Sequence, residues 1–289
     1  MRYGVGYKGS KSRIAKEIID ILPSGNRFID LFGGGGAMSH CAALSGKYKQ
    51  VIYSDVDSSI TELVKNLFNG VYYNRIDLFE WVSRDRFYAE KETNPIVKWC
   101  WSFSNNGKDY LYSLDKEPQK EAIHKAIVNK EYSQLFLQIT SGVIPFKADS
   151  IPDRKKEWYS FCRQILKSGD KNRLQCIERR LHLTQVEALT RVQAQTQVEA
   201  LTRSYTEYEY QPGDVVYCDI PYNSTNCGSY QGFNHSEFWN WAEKIPCYIS
   251  EYSAPDGFEC VWQKQIPILS TSDGNHRKAV EKLYKSPCV

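Results

Sequence analysis

Phe28-Ile29-Asp30-Leu31-Phe32-Gly33-Gly34-Gly35-Gly36-Ala37-Met38-Ser39 is the stretch on which the fold turns. A short apolar run ends on an acid, and four glycines follow. That is the pattern of a buried strand entering a tight turn, with a helix expected next. Glycines there permit backbone angles closed to other residues and let a ligand approach the main chain closely. The next apolar run, Gln50-Val51-Ile52-Tyr53-Ser54-Asp55, also ends on an acid, 22 residues beyond Gly33. In a strand–helix–strand unit such an acid typically hydrogen-bonds a ribose. The pattern predicts an α/β fold with a nucleoside-containing cofactor on the glycine turn.

Upstream, Tyr7-Lys8-Gly9-Ser10-Lys11-Ser12 reads as a loop feeding a helix whose Ile14, Ile18 and Leu22 share one face. Ser12 is the expected N-cap. Lys11 then sits beside the open N–H groups of the helix start, a place suited to an anion such as a carboxylate. An amphipathic first helix with a solvated lysine fits the same spacing.

Far downstream comes Asp214-Val215-Val216-Tyr217-Cys218-Asp219-Ile220-Pro221-Tyr222-Asn223-Ser224-Thr225. Val215 to Tyr217 predict a short buried strand after the Pro212-Gly213 turn, stopped by Pro221, which cannot donate to a sheet ladder. One carboxylate, one backbone carbonyl and one aromatic ring are then displayed where ligands bind in open α/β sheets. Such a trio suits a planar, weakly nucleophilic amino nitrogen. Asp219 and the Ile220 carbonyl would accept its two hydrogens, and Tyr222 would stack on its ring. An ordinary strand-to-turn exit is the alternative.

Asp219-Ile220-Pro221-Tyr222 resembles the Asp-Pro-Pro-Tyr motif of amino-group methyltransferases, with one departure at Ile220. Tyr7-x-Gly-x-Lys11, Asp30-Leu-Phe-Gly-Gly-Gly, Asp55 and Asp219-Ile-Pro-Tyr222 occur in that order. The whole resembles the Dam-type family (D12 class, α group) of DNA adenine-N6 methyltransferases, particularly phage-encoded members. The resemblance extends over nearly the whole chain, including Trp101-Ser-Phe-Ser-Asn105-Asn106, Gly232-Phe-Asn-His235 and Tyr248-Ile-Ser-Glu251-Tyr. It implies a Rossmann-like fold using S-adenosylmethionine, interrupted by a mostly helical target-recognition insert. It also implies that Tyr7, Lys11, Asp30, Phe32, Gly33, Gly34, Gly35, Asp55 and Asp219 contact the cofactor. Asp219, Ile220, Pro221 and Tyr222 would then handle the adenine, flipped out of duplex DNA. The same motif suits cytosine N4, RNA or a glutamine side chain, and Ile220 raises the alternative of a silent DNA- and cofactor-binding protein.

Composition agrees with a cytoplasmic globular protein. The 289 residues are 42% hydrophobic and 25% charged, and no apolar run approaches the roughly 18 residues of a membrane span. The N-terminal stretch lacks the apolar core of a secretory signal. Nine cysteines include no Cys-x-x-Cys pair, and five histidines are dispersed, so neither a disulfide framework nor a metal site is expected. No oligomer is implied. The net charge of +3 is uneven, since residues 147–180 hold ten Lys and Arg against five Asp and Glu. That is a modest footprint for a polyanion or a solvated helix face.

The expected organisation is a cofactor-binding part over 1–73, an insert over 74–180, a spacer over 181–204 and a catalytic part over 205–289. Aromatics interleave with Lys and Arg in the insert, where 121–140 carry helical periodicity and Asn105-Asn106-Gly107 signals a turn. Asn105 and Asn106 suit reading of base edges and Lys108 a phosphate, although Asn-Asn-Gly is also simply a good turn. Thr184-Gln-Val-Glu-Ala-Leu-Thr-Arg191 recurs as Thr196-Gln-Val-Glu-Ala-Leu-Thr-Arg203, twelve residues on. Both copies favour helix, which predicts a duplicated helical spacer or, alternatively, a partner- or DNA-contacting arm. Beyond the motif, a helix over 233–243 and strands over 247–252, 259–271 and 280–285 are expected. His235 falls at a helix start, where capping or packing is its expected role.

Overall fold

The computed structural model describes residues 3–167, 182–222, 232–267 and 278–289. The chain divides into two compact units, Met1–Val71 with Val192–Val289, and Tyr72–Arg191.

The first unit is a sheet of seven strands: β1 (Gly25–Asp30), β2 (Tyr48–Asp55), β3 (Val198–Thr202), β4 (Asp214–Cys218), β5 (Cys247–Glu251), β6 (Glu259–Pro267) and β7 (Lys278–Lys285). Their order is β3-β2-β1-β4-β5-β7-β6. The first five run parallel, and β7 is antiparallel to both β5 and β6. A parallel centre needs apolar side chains on both faces, and successive residues supply them. Phe28, Val215 and Tyr217 join one core with Ile14, Ile18 and Met38, whereas Ile29, Val216 and Cys218 join another with Phe238 and Ile249. The helices of this unit are α1 (Ala15–Ile21), α2 (Ala37–Ser45), α3 (Ser58–Phe68) and α10 (His235–Ala242).

The second unit is helical: α4 (Arg84–Glu90), α5 (Pro95–Cys100), α6 (Glu117–Asn129), α7 (Gln134–Thr140), α8 (Ile151–Lys167) and α9 (Leu183–Thr190). Its aromatics form its own core, with Phe87, Trp99, Trp101, Tyr110, Tyr112 and Trp158 buried. His182 stacks on Trp101 at 3.6 Å between ring centroids. Tyr88 and Phe103 remain exposed. Part of the basic 147–180 stretch and residues 223–225 and 268–271 lie outside the described residues. Among those described, no helix is long and apolar enough to cross a membrane.

The repeat departs from expectation. The first copy is helical, lying in α9, but the identical second copy contains β3 and extends the sheet beside β2. Neither copy is a spacer. In the helix, Val186 and Leu189 are fully buried, and Glu187 forms ion pairs with Lys155 and Arg191. In the strand, the Val51 N–H donates to the Gln197 carbonyl at 2.8 Å and the Arg203 N–H to the Asp55 carbonyl at 3.0 Å. Helix propensity is a weak local preference, and the open edge of β2 outweighs it for the second copy.

One substitution in two identical octapeptides therefore has two outcomes. Glu187→Gln, which removes a buried counter-charge from Lys155, should cost about 3 kcal/mol. Glu199→Gln, on the exposed side of β3, should stay within about 0.5 kcal/mol. Chemical denaturation of both variants measures the contrast, and equal effects would contradict it.

Candidate active site

The sheet order reverses between β1 and β4: the chain leaves β1 for β2 on one side, and β4 pairs on the other. Diverging connections open a crevice at the C-terminal ends of those two strands. Asp30 ends β1 and Asp219 follows β4.

Lys11 lies within a 3-10 turn, Lys11–Arg13, and not ahead of a helix start. Ser10 caps that turn by accepting the Ser12 N–H, and α1 begins only at Ala15. Ser12 is thus not the cap expected from the sequence; its hydroxyl accepts the Tyr3 N–H at 2.8 Å. The turn delivers the Lys11 ammonium to Asp219, 2.7 Å from Oδ1. Lys11 is 6% exposed and the Asp219 side chain 19%. Burial pushes the Asp219 carboxyl up, Lys11 pulls it part of the way back, and it lies at about 6. Burial pulls the Lys11 ammonium down, but Asp219 and Glu281 outweigh that and leave it above its ordinary value. The pair is charged at neutral pH.

Tyr222 is not an open stacking platform in this state. Its hydroxyl donates to the buried Glu281 of β7, Lys11 Nζ sits 4.6 Å from its ring centroid, and Tyr252 meets it edge-on at 4.5 Å. Ile220 is 2% exposed and packs into the core that holds Phe238. His235 is not the cap of α10, since Asn234 takes that role by accepting the Glu237 N–H at 3.1 Å. The His235 imidazole instead lies with Nε2 2.7 Å from the Pro221 carbonyl. A cavity of about 250 Å³ opens here, lined by His235, Trp239, Glu251, Ser253, Ala254 and Pro255.

The glycine turn is packed by the chain itself. A Cβ on Gly33 would fall 2.2 Å from the Tyr53 ring, on Gly34 2.8 Å from the Tyr7 ring, and on Gly35 2.6 Å from the Val5 carbonyl. These close approaches are made by Tyr53, Tyr7 and Val5, where a ligand was expected. Phe32 is a core residue stacked on Tyr205 at 5.5 Å. Asp55 is fully buried, its Oδ2 accepting the Gly34 N–H and its Oδ1 the Asp57 N–H, both at 2.9 Å. Asp30 is 1% exposed. Its Oδ2 takes the backbone N–H of Ser39 at 3.1 Å and the hydroxyl at 2.6 Å, while Oδ1 has no hydrogen-bond partner among the described residues. Burial pushes this carboxyl up to about 7 against the opposing Ser39 bonds.

In the helical unit, Asn105 and Asn106 are turn formers. Asn105 Nδ2 donates to the Trp99 carbonyl at 2.8 Å and its Oδ1 accepts from Gln185 at 3.1 Å. Asn106 Oδ1 accepts the N–H groups of Lys108 and Asp109. Lys108 is exposed. No group of three or more side chains among the described residues is arranged to hold a metal.

Sequence reasoning missed Glu281, and of the two roles expected for His235 the structure overturns capping and keeps packing, on the Phe233 ring at 4.9 Å. Glu281 had a signal: in β7 it shares strand parity with buried Leu283, while the apolar Val280 faces out at 40% exposure. An acid that shares the parity of a buried leucine marks a buried polar contact. His235 carries no comparable signal.

A sheet of this order, with a glycine turn after β1 and an acidic exit after β4, is that of a Rossmann-like methyltransferase. Residues 7–144 match the family model described as D12 class N6 adenine-specific DNA methyltransferase. That match takes in Tyr7, Lys11, the glycine turn and Asp55 and ends before Asp219. No curated protein matches the chain.

Because Asp55 holds two buried N–H groups, Asp55→Ala should destabilise the protein by about 3 kcal/mol, or ~6–12 °C in Tm. Thermal unfolding measures this. An unchanged Tm would return Asp55 to a purely ligand-binding role.

Proposed function

We propose that the protein transfers a methyl group from S-adenosylmethionine to N6 of an adenine flipped out of duplex DNA. The observation that carries this reading is the half-buried Asp219 carboxylate next to the Ile220 carbonyl in the chain, at the sheet's switch point and paired with Lys11. The family of residues 7–144 supports adenine N6 in DNA as the target.

When bound, S-adenosylmethionine supplies an electrophilic methyl group on a sulfonium sulfur. The residues present fit its methionine end, a zwitterion that asks for a cation beside its carboxylate and an anion beside its ammonium. Lys11 offers the cation, and Asp30 offers a buried oxygen with no partner among the described residues. Tyr7, Phe32, Gly33, Gly34 and Gly35 would frame the site. Asp55 is a weaker candidate for a ribose, since backbone N–H groups already engage both of its oxygens.

An adenine amino group is a poor nucleophile because its lone pair is delocalised into the ring. Asp219 and the Ile220 carbonyl would accept its two hydrogens, drawing them out of plane and favouring the positive charge that develops on nitrogen. Tyr222 would stack on the base, and Pro221 holds Ile220 in an extended conformation. After transfer the nitrogen sheds a proton, and a carboxyl at about 6 would release it to water at neutral pH. Flipping costs a few kcal/mol, which phosphate contacts from cations such as Lys108 would offset.

Labelled methyl transfer to unmethylated duplex DNA, followed by mapping of the modified base, tests the reading. Wild type should modify adenine. Asp219→Ala should lose at least 10²-fold, whereas Ile220→Pro should stay within about tenfold, ~1.4 kcal/mol, because every residue type supplies a backbone carbonyl. A wild type that binds cofactor and DNA without transfer, and gains it on Ile220→Pro, would make the protein a silent binder. The ratio kcat/KM should also rise with pH through about 6 and level off above, since only the ionised Asp219 carries no proton and can accept at both oxygens.

A further inference from the structure

Ile220 stands where the resembled motif has a second proline, so one backbone torsion that a ring would lock is unlocked at the carbonyl assigned to the amino group. That carbonyl belongs to the peptide plane between Ile220 and Pro221. Two contacts pin the plane from either side. The Ile220 side chain is 2% exposed, sunk into the core with Phe238, the buried anchor of α10. On the far side, the Pro221 carbonyl meets His235 Nε2 at 2.7 Å. A carbonyl only accepts, so Nε2 carries the hydrogen and donates. The imidazole is itself set by the Phe233 ring, edge-on at 4.9 Å, and by the first turn of α10, whose start Asn234 caps.

We infer that His235 is a positioning residue: its Nε2–H holds the Pro221 carbonyl and so fixes the Ile220 carbonyl that accepts from the substrate amino group. The assignment rests on the methyl-transfer reading for its consequence, but the contact acts on the backbone whatever the reaction is. It also removes Nε2 from general-base duty, because that nitrogen's proton is already committed to the carbonyl. With one proline in the motif, the tether from α10 supplies preorganisation that a second ring would otherwise give.

The test uses the full chain with His235→Phe, which keeps a flat ring but no donor, and His235→Gln, whose amide N–H can take over the bond. Hydrogen exchange at the Ile220 and Tyr222 amides should rise at least tenfold in His235→Phe and stay near wild type in His235→Gln. In methyl transfer to duplex DNA, His235→Phe should lower kcat about tenfold or more, with cofactor affinity within twofold, and His235→Gln should recover most of the rate. Unchanged exchange in His235→Phe would overturn the assignment, even if wild type proves inactive and the methyl-transfer reading falls. Equal loss of kcat in both variants, with protection kept in His235→Gln, would also overturn it and point to proton transfer by the imidazole. Should His235→Phe fail to fold, His235→Gln decides alone: loss of protection or of kcat rejects the assignment.

Discussion

A buried ammonium is costly unless an opposite charge meets it, and the ion pair of buried Lys11 with half-buried Asp219 is the contact on which the candidate site depends. It joins the N-terminal segment to the exit of a central strand from the far end of the chain. The segment is held on its own side as well: the Gly4 N–H donates to His40 Nδ1 at 3.0 Å and the Val5 N–H to the Gly35 carbonyl at 2.8 Å. The glycine turn, the lysine turn and the Asp219 motif are thereby fixed against one another. Removing either charge would leave its partner in a poorly solvated place, so the pair fixes geometry more than it adds stability.

Sheet order explains why these residues meet. Reversal of the chain's direction of travel between β1 and β4 opens the sheet edge where Asp30 and Asp219 emerge. Polar side chains around that edge hold either the backbone or one another. Asp55 ties the glycine turn down, Ser39 holds Asp30, Glu281 holds Tyr222, and His235 holds Pro221. Polar side chains that a sequence reader would assign to a ligand are, in several cases, occupied with main-chain N–H and C=O groups, which must be satisfied when buried.

Much of this was legible in the sequence. The strand–glycine–helix–strand pattern gave β1, α2 and β2, and the apolar run before Asp219 gave β4, because buried strands leave a contiguous apolar signature. Lys11, Asp30 and Asp219 stood out by type and order, and the structure brings Lys11 against Asp219. What was not legible depended on partners distant in the chain. An octapeptide present twice cannot announce that one copy will be a helix and the other an edge strand; the neighbours decide. Asn105 and Asn106 satisfy a local turn, an outcome that the Asn-Asn-Gly signal itself allowed. His235 became visible only when the fold brought the Pro221 carbonyl within its reach.

Asp219, half-buried at the sheet edge, is held by Lys11 and ionised at neutral pH. A carbon-detected NMR titration of the Asp219 carboxyl tests it most directly. The account predicts a midpoint at about 6 in the wild-type protein, moving higher in Lys11→Met, where the cation that favours the ionised form is lost. A midpoint in the ordinary carboxylate range, or one indifferent to the loss of Lys11, would contradict it.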